Sequence, residues 1–158
     1  MSEALRLDHQ LCFALYAASR ALVQAYAPLL EPLGLTYPQY LALLVLWEED
    51  GASVKRLGER LHLDSGTLTP LLKRLEAQGL VTRERDAADA RVVRVRLTGR
   101  GQQLRARAAG VPRAALQCTG LEVAELVRLR ESLRGMSDTL RASGAEGGPA
   151  GPMRKGSE

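Results

Sequence analysis

The sequence has few aromatic side chains: one Trp, one Phe and four Tyr among 158 residues. Hydrophobic residues still make up 46%, so the core must be built from Leu, Val and Ala, which favours helices. Cysteine is scarce as well. Cys12 and Cys118 are too few for a disulfide framework, and a permanent bridge would be unusual in a reducing cytoplasm, the compartment expected here. No apolar run reaches about 18 residues, so no membrane span is expected. A basic stretch followed by an apolar core and a cleavage site is missing at the N-terminus, so no secretion signal is read. The two histidines, His9 and His62, are too scattered for a metal site. There is no glycine-rich phosphate loop, no hydrolytic triad and no internal repeat, so neither an enzyme nor a cofactor is expected.

Charge is present but unevenly placed. Residues 1–50 carry two basic and six acidic side chains, net −4. Residues 51–107 carry thirteen and six, net +7, and residues 108–158 carry seven and six, net +1. A basic middle between acidic and near-neutral ends points to a polyanionic partner, with a merely solvated arginine-rich surface as the alternative.

The length suits one domain with appendages. Residues 8–31 read as a long helix, with Leu11, Leu15, Leu22, Leu29 and Leu30 near helical spacing. "EPLGLTYP" breaks it, and "QYLALLVLWEED", 39–50, reads as a short buried helix. Ser53 can cap "VKRLGERL" and Asp64 can cap "SGTLTPLLKRLEAQ", which Gly79 ends. "LVTRERDAADARVVRVRLT" reads as a hairpin. Val81, Arg83 and Arg85 lie on one strand face, Val93, Val95 and Leu97 alternate with Arg94 and Arg96, and "DAADAR" forms the turn. Residues 99–117 read as a helix bent at Pro112, and 121–142 as a last helix. From Ser143 on, Gly, Pro and Ser dominate and disorder is expected.

Helix, capped helix, strand, basic turn and strand together make a winged helix-turn-helix. The fold class is therefore mainly α with a small β-hairpin wing. Residues 53–61 form the first helix of the motif and 65–78 its recognition element. Leu68, Leu71, Leu72 and Leu75 supply the buried face, while Ser65, Thr67, Thr69, Lys73 and Arg74 lie on or beside the open one, suited to phosphates and base edges of double-stranded DNA. Pro70 is unusual there. A proline in a helix interior costs about 3 kcal/mol, so either the helix starts later or a kink shapes the contact surface. Arg91 lies on the wing, where it can enter a minor groove, and Asp89 can orient its guanidinium through a bidentate pair. An ordinary surface ion pair is the alternative.

"LGERLHLDSGTLTPLLKRLEAQGLVTRERDAADARVVRVRLTGRG" resembles the DNA-binding lobe of the MarR family, and the likeness extends over roughly residues 8–140. "LDHQLCFALY" with "LTYPQYLALLVLWE" is similar, more narrowly, to the OhrR-type organic-hydroperoxide regulators of that family. The resemblance implies a homodimer whose terminal regions interlock. It also implies a partition into an N-terminal dimerisation helix at 1–37, a DNA-binding lobe at 38–98 and C-terminal dimerisation helices at 99–142, which leaves the compositionally disordered tail at 143–158 outside the likeness.

Cys12 then has two readings. A cysteine in an apolar helix is usually inert packing. Tyr16, however, is one turn on, where its hydroxyl can approach the sulfur, and Tyr26 and Tyr37 add two more phenols able to stabilise a thiolate. Tyr26 lies 14 residues along the same helix, about 21 Å away, so it cannot reach its own Cys12. The resemblance implies that the partner's copies of Tyr26 and Tyr37 do so across the dimer. Apolar neighbours such as Leu11, Leu15 and Trp47 suit an organic hydroperoxide. The resemblance likewise implies that Cys118 resolves oxidised Cys12 through an intersubunit disulfide, an unused surface thiol being the alternative. The function expected is a redox-switched repressor, or alternatively a regulator controlled by a reversibly bound aromatic or lipophilic ligand, with Cys12 only lining the pocket.

Overall fold

The apolar run near the N-terminus becomes α1, Leu11–Leu30. A computed structural model describes residues 3–146. The helix starts later than the leucine spacing predicts because Leu7–His9 forms a separate 3-10 turn and Gln10 is extended. The Gln10 side chain donates back to the carbonyls of Ala4 and Arg6, at 2.6 and 3.2 Å. Of all the residues of α1, only Leu30 is buried.

A 3-10 turn, Glu31–Leu33, closes at Gly34 in the left-handed region (φ 68°) and leads to α2, Tyr37–Glu48. The expected start at residue 39 is corrected. Pro38 sits in the first turn, where a missing N–H costs nothing, and Gln39 Oε1 accepts from the Thr36 amide at 2.9 Å. α2 is the centre of the core, with Tyr40, Ala42, Leu43, Val45 and Leu46 all buried.

Helices α3, Val54–Leu61, and α4, Ser65–Ala77, follow, capped by Ser53 and Asp64 as their sequence positions predict. The Ser53 hydroxyl accepts from the Arg56 amide, and Asp64 accepts from Thr67. Between the two helices His62 takes a left-handed conformation (φ 57°) and Leu63 donates to the Gly58 carbonyl at 3.0 Å. A Cβ on Gly58 would stand 2.8 Å from the Leu63 carbonyl, so the turn can be this tight only over a glycine.

Strands β1, Val81–Arg85, and β2, Val93–Leu97, pair antiparallel, from Val81 opposite Leu97 to Arg85 opposite Val93. Val81 and Val95 turn into the core. The Val95 amide donates to Ala52, tying the hairpin to the segment before α3.

The helix expected over 99–117 is two helices. α5, Gly99–Ala108, ends before Gly110, and α6, Val111–Gln117, begins with Pro112 in its first turn. The proline therefore starts a helix, the position its fixed φ favours. α5 packs on the motif itself. Leu104 and Ala108 join the same core, and Trp47 Nε1 donates to the Gly101 carbonyl at 3.0 Å.

The residues divide into two compact units, through Thr119 and from Gly120 onward. The second unit contains α7, Val123–Glu146. This helix runs past residue 142, where disorder was expected, with the Ser143 hydroxyl donating to the Thr139 carbonyl inside it. The rest of the expected tail, 147–158, lies outside the described residues. The molecule is mainly helical with one two-stranded antiparallel sheet among the described residues, the winged helix-turn-helix its sequence predicts.

Candidate functional site

Two surfaces gather the side chains singled out in the sequence. The first is α4 with the wing. Leu68, Leu71, Leu72 and Leu75 are all buried. They leave Ser65, Thr67, Pro70, Lys73 and Arg74 exposed and Thr69 half-buried. Pro70 lies inside the helix rather than before it, so the later-start alternative falls. Its missing N–H leaves the Gly66 carbonyl without its usual helical donor on the exposed side.

Arg83 fastens α4 to the wing, donating to Glu76 through Nε and Nη2 at 3.0 and 2.7 Å. That bond holds the Glu76 carboxyl below its ordinary range. At the wing tip Arg91 donates to Asp89 twice, Nε to Oδ1 and Nη2 to Oδ2, both at 3.0 Å. Asp89 also accepts from the Arg91 amide at 3.0 Å. The Arg91 side chain is 91% exposed, so the carboxylate aims the guanidinium outward without covering it.

The wing has an anchor that sequence reasoning missed. Arg94 donates through Nε to Asp86 and through Nη1 to the Gly51 carbonyl. Asp86 in turn accepts from the amides of Ala88 and Asp89. Its carboxyl is held below the usual range, first by Arg94 and then by those amides. Arg85 closes the same turn by donating to the Ala90 carbonyl at 2.8 Å. In sequence Arg94 was one of the polar positions of an alternating strand. Only the fold places it beside Gly51.

The second surface involves α1. Cys12 is exposed in the first turn of α1, where the amides have no helical acceptor. Tyr16 does not turn its hydroxyl to Cys12. It accepts a 2.7 Å bond from Arg20 Nη1, one turn the other way, with the guanidinium carbon 5.4 Å from the ring centroid. Tyr26 and Tyr37 do meet, ring centroids 4.8 Å apart, at the far end of α1. Tyr40, which the sequence reading did not single out, completes the group at 5.9 Å from Tyr26, with Trp47 edge-on to it at 6.4 Å. Burial pushes the Tyr26 and Tyr37 phenols up, so both keep their protons at neutral pH and remain donors. Tyr40 is pushed up to about 12 by burial and by its two phenolic neighbours. Cys118 caps the end of α6, exposed, with Sγ 3.4 Å from the Ala114 carbonyl.

α1 leaves Leu11, Phe13, Tyr16, Leu22 and Val23 exposed, as are Leu5 and Leu7 before it. α7 has no fully buried side chain among those described and exposes Val123, Leu129 and Leu140. Among the described residues no single helix is long and apolar enough to cross a membrane.

Residues 35–93 match the MarR family model. Over 136 residues the chain is 48% identical to the organic hydroperoxide resistance transcriptional regulator of Bacillus subtilis, covering 86% of this chain and 92% of that protein. It is 54% identical over 136 residues to the HTH-type transcriptional regulator TtmR of Methylorubrum extorquens, covering 86% of this chain and 70% of that protein. Among solved structures it is similar to AbfR of Staphylococcus epidermidis. Reduced AbfR bound to DNA superposes with a TM-score of 0.75 at 40% identity, covering 89% of this chain and 96% of that one. The disulfide-formed AbfR gives 0.61 at 41% identity, covering 85% and 94%.

Proposed function

The chain belongs to the MarR family of transcriptional regulators, and from that premise we propose that it is a homodimeric, DNA-binding repressor switched by organic hydroperoxide through Cys12. α4 enters the major groove with Ser65, Thr67, Thr69, Pro70, Lys73 and Arg74 at the contact surface. Arg91, aimed by Asp89, reaches the adjacent minor groove. α1 and the C-terminal helices form the dimer, which covers the leucines they expose.

The observation that carries the redox reading is the placement of Cys12 in the first turn of α1 and of the Tyr26–Tyr37 pair at its far end. A partner α1 crossing antiparallel brings each exposed thiol to the other protomer's Tyr26 and Tyr37. Both phenols are protonated donors there, fitted to a sulfur anion and to the alkoxide released from the peroxide. Tyr16, engaged by Arg20 in the protomer, joins them only if that bond is exchanged on dimerisation.

The chemistry balances in two steps. The Cys12 thiolate attacks one peroxide oxygen, and the O–O bond breaks. The alkoxide takes a proton and leaves as an alcohol, and Cys12 becomes a sulfenic acid. The partner's Cys118 thiolate then attacks that sulfur, the S–S bond forms, and the sulfenic S–O bond breaks to release hydroxide, which takes a proton from solvent and becomes water. A thiol reductant returns both cysteines to the reduced state. AbfR, solved both reduced on DNA and in a disulfide form, supports this reading for a relative of similar fold.

The deciding measurement is operator binding by the reduced protein before and after cumene hydroperoxide. Wild type releases DNA and rebinds after reductant, whereas Cys12→Ser stays bound. Release of Cys12→Ser to the same extent would remove the thiol from the switch and leave the ligand-controlled regulator in its place.

A further inference from the structure

We propose that Glu76 and Arg83 are positioning residues for DNA recognition: they fix the distance from α4 to the wing tip, and with it the number of base pairs between the major-groove and minor-groove contacts. This rests on the reading that α4 and Arg91 both touch DNA.

The wing is a lever with a short base. β1 leaves α4 through a tight turn, in which the Gly79 amide donates to the Glu76 carbonyl at 2.9 Å and the Leu80 amide to the Leu75 carbonyl at 3.0 Å. Val81 and Val95 are the buried footing. Beyond them the hairpin runs out to the exposed Arg91. β1 has five residues, and at about 3.4 Å per residue such a strand spans about 17 Å. A swing of about 12° at its base carries the far end through about 3.4 Å, the rise of one base pair. An unrestrained wing would therefore offer Arg91 to more than one base step.

Arg83 is placed to stop that swing. It stands two residues beyond Val81 on the same strand face, opposite the buried Val95. There Nε and Nη2 both donate to Glu76 Oε2, at 3.0 and 2.7 Å. Two donors on one oxygen fix the direction of the link as well as its length. The side chains are 27% and 37% exposed, so the pair is partly withdrawn from solvent and salt. Glu76 is the penultimate residue of α4, the helix whose earlier turns meet DNA. Among the described residues this is the one ion pair that joins α4 to the hairpin.

The other wing anchor does not replace it. Arg94 lies on the opposite face of the hairpin, paired with Glu84 in the register. It donates to the Gly51 carbonyl at 3.1 Å, in the segment before α3. That bond restrains the wing against the segment and leaves the distance to α4 to Arg83. Arg96 pairs with Glu84 within the hairpin itself.

The test uses the reduced full-length protein and a duplex that the wild type selects from a randomised pool. Fluorescence anisotropy reads affinity, and hydroxyl-radical footprinting reads protection of the minor groove. Glu76→Ala and Arg83→Met, which keeps the apolar stem, should each weaken binding by about fivefold. Minor-groove protection under the wing should fade or spread to the next base pair, while major-groove protection from dimethyl sulfate under α4 stays. Melting temperatures should stay near wild type, because a partly exposed pair adds little stability. The loss should not add to that of Arg91→Ala: in that background Glu76→Ala should change affinity by less than about twofold. The exchanged pair, Glu76→Arg with Arg83→Glu, should restore the wild-type footprint. A wild-type footprint in Glu76→Ala while Arg91→Ala is impaired, full additivity of the two losses, or no rescue by the exchanged pair would overturn the positioning role. A wild-type footprint in Arg91→Ala would instead remove the wing contact itself, and this inference with it.

Discussion

Arg91 and Tyr40 show how differently single side chains act in this molecule. The Arg91–Asp89 pair is exposed, and such pairs add little to stability. Its value lies in orientation, since two parallel bonds fix the plane of the guanidinium. Arg91→Ala should therefore leave the melting temperature unchanged and weaken operator binding, lowering the log–log salt slope by about one unit. Fluorescence anisotropy across a salt series reads both, and an unaltered slope would count against a wing contact. Tyr40 is a stability group instead. Its phenol is raised to about 12, first by burial and then by Tyr26 and Tyr37. A group whose folded pKa is raised contributes fully below its ordinary value, about 10 for tyrosine, and that contribution is lost as pH rises towards 12. Tyr40→Phe should flatten the fall in stability over that alkaline interval, as urea unfolding at successive pH values would show. Tyr26→Phe and Tyr37→Phe should each slow oxidation of Cys12 by hydroperoxide while leaving operator affinity of the reduced protein near wild type. Stopped-flow loss of free thiol is the readout, and wild-type rates in both variants would exclude the phenols from the site.

At the scale of elements, the joint between wing and α5 is the tightest. The Thr98 hydroxyl donates to the Gly79 carbonyl at 2.7 Å and accepts from the Gly101 amide at 3.0 Å. The Thr98 amide donates to Leu80. These bonds draw α5 so close that a Cβ on Gly101 would lie 2.1 Å from the Leu80 carbonyl oxygen. Gly101→Ala must push α5 off β1 and should destabilise the protein by about 1–3 kcal/mol, measured by thermal or urea unfolding. The wing itself depends on Asp86 and Arg94. The Asp86 carboxyl is depressed, so its contribution is present above the ordinary aspartate value, about 4, and is lost as pH falls through the folded value. Asp86→Asn should lower amide-exchange protection of residues 86–92 at neutral pH and remove most of its acid dependence. Equal protection in the two proteins at pH 7 would show that Arg94 and the strand register suffice without the carboxylate.

For the whole molecule, the apolar face left open on α1 is the central fact. Most helical stability comes from packing of an apolar face, and in the proposed homodimer a second copy would supply the missing surface. Two disulfides across a symmetric dimer would displace the terminal helices and with them the α4 helices, whose spacing must match successive major grooves about 34 Å apart. Hydroperoxide should therefore yield a dimer-sized band on non-reducing gels for wild type and none for Cys118→Ser. If Cys118→Ser gives the same band, the resolving thiol is not Cys118.

The sequence by itself determined the order of elements, their caps and the apolar face of α4. Those features are local: Ser53 and Asp64 act within one turn of where they stand, and Leu spacing follows helix geometry. Boundaries governed by competition between neighbours were less legible. α1 starts late because Gln10 bonds backward, α2 starts early because Pro38 fits a first turn, and α6 is separate because Gly110 and Pro112 favour a new start over a bend. Only the tertiary structure decided that Arg94 reaches Gly51, that Tyr40 joins Tyr26 and Tyr37, and that Gln78 donates to the Gly34 carbonyl. Each of these depends on segments far apart in the chain meeting at hydrogen-bond or ring-contact distance, and that meeting is set by how the core packs, which no spacing along the chain records.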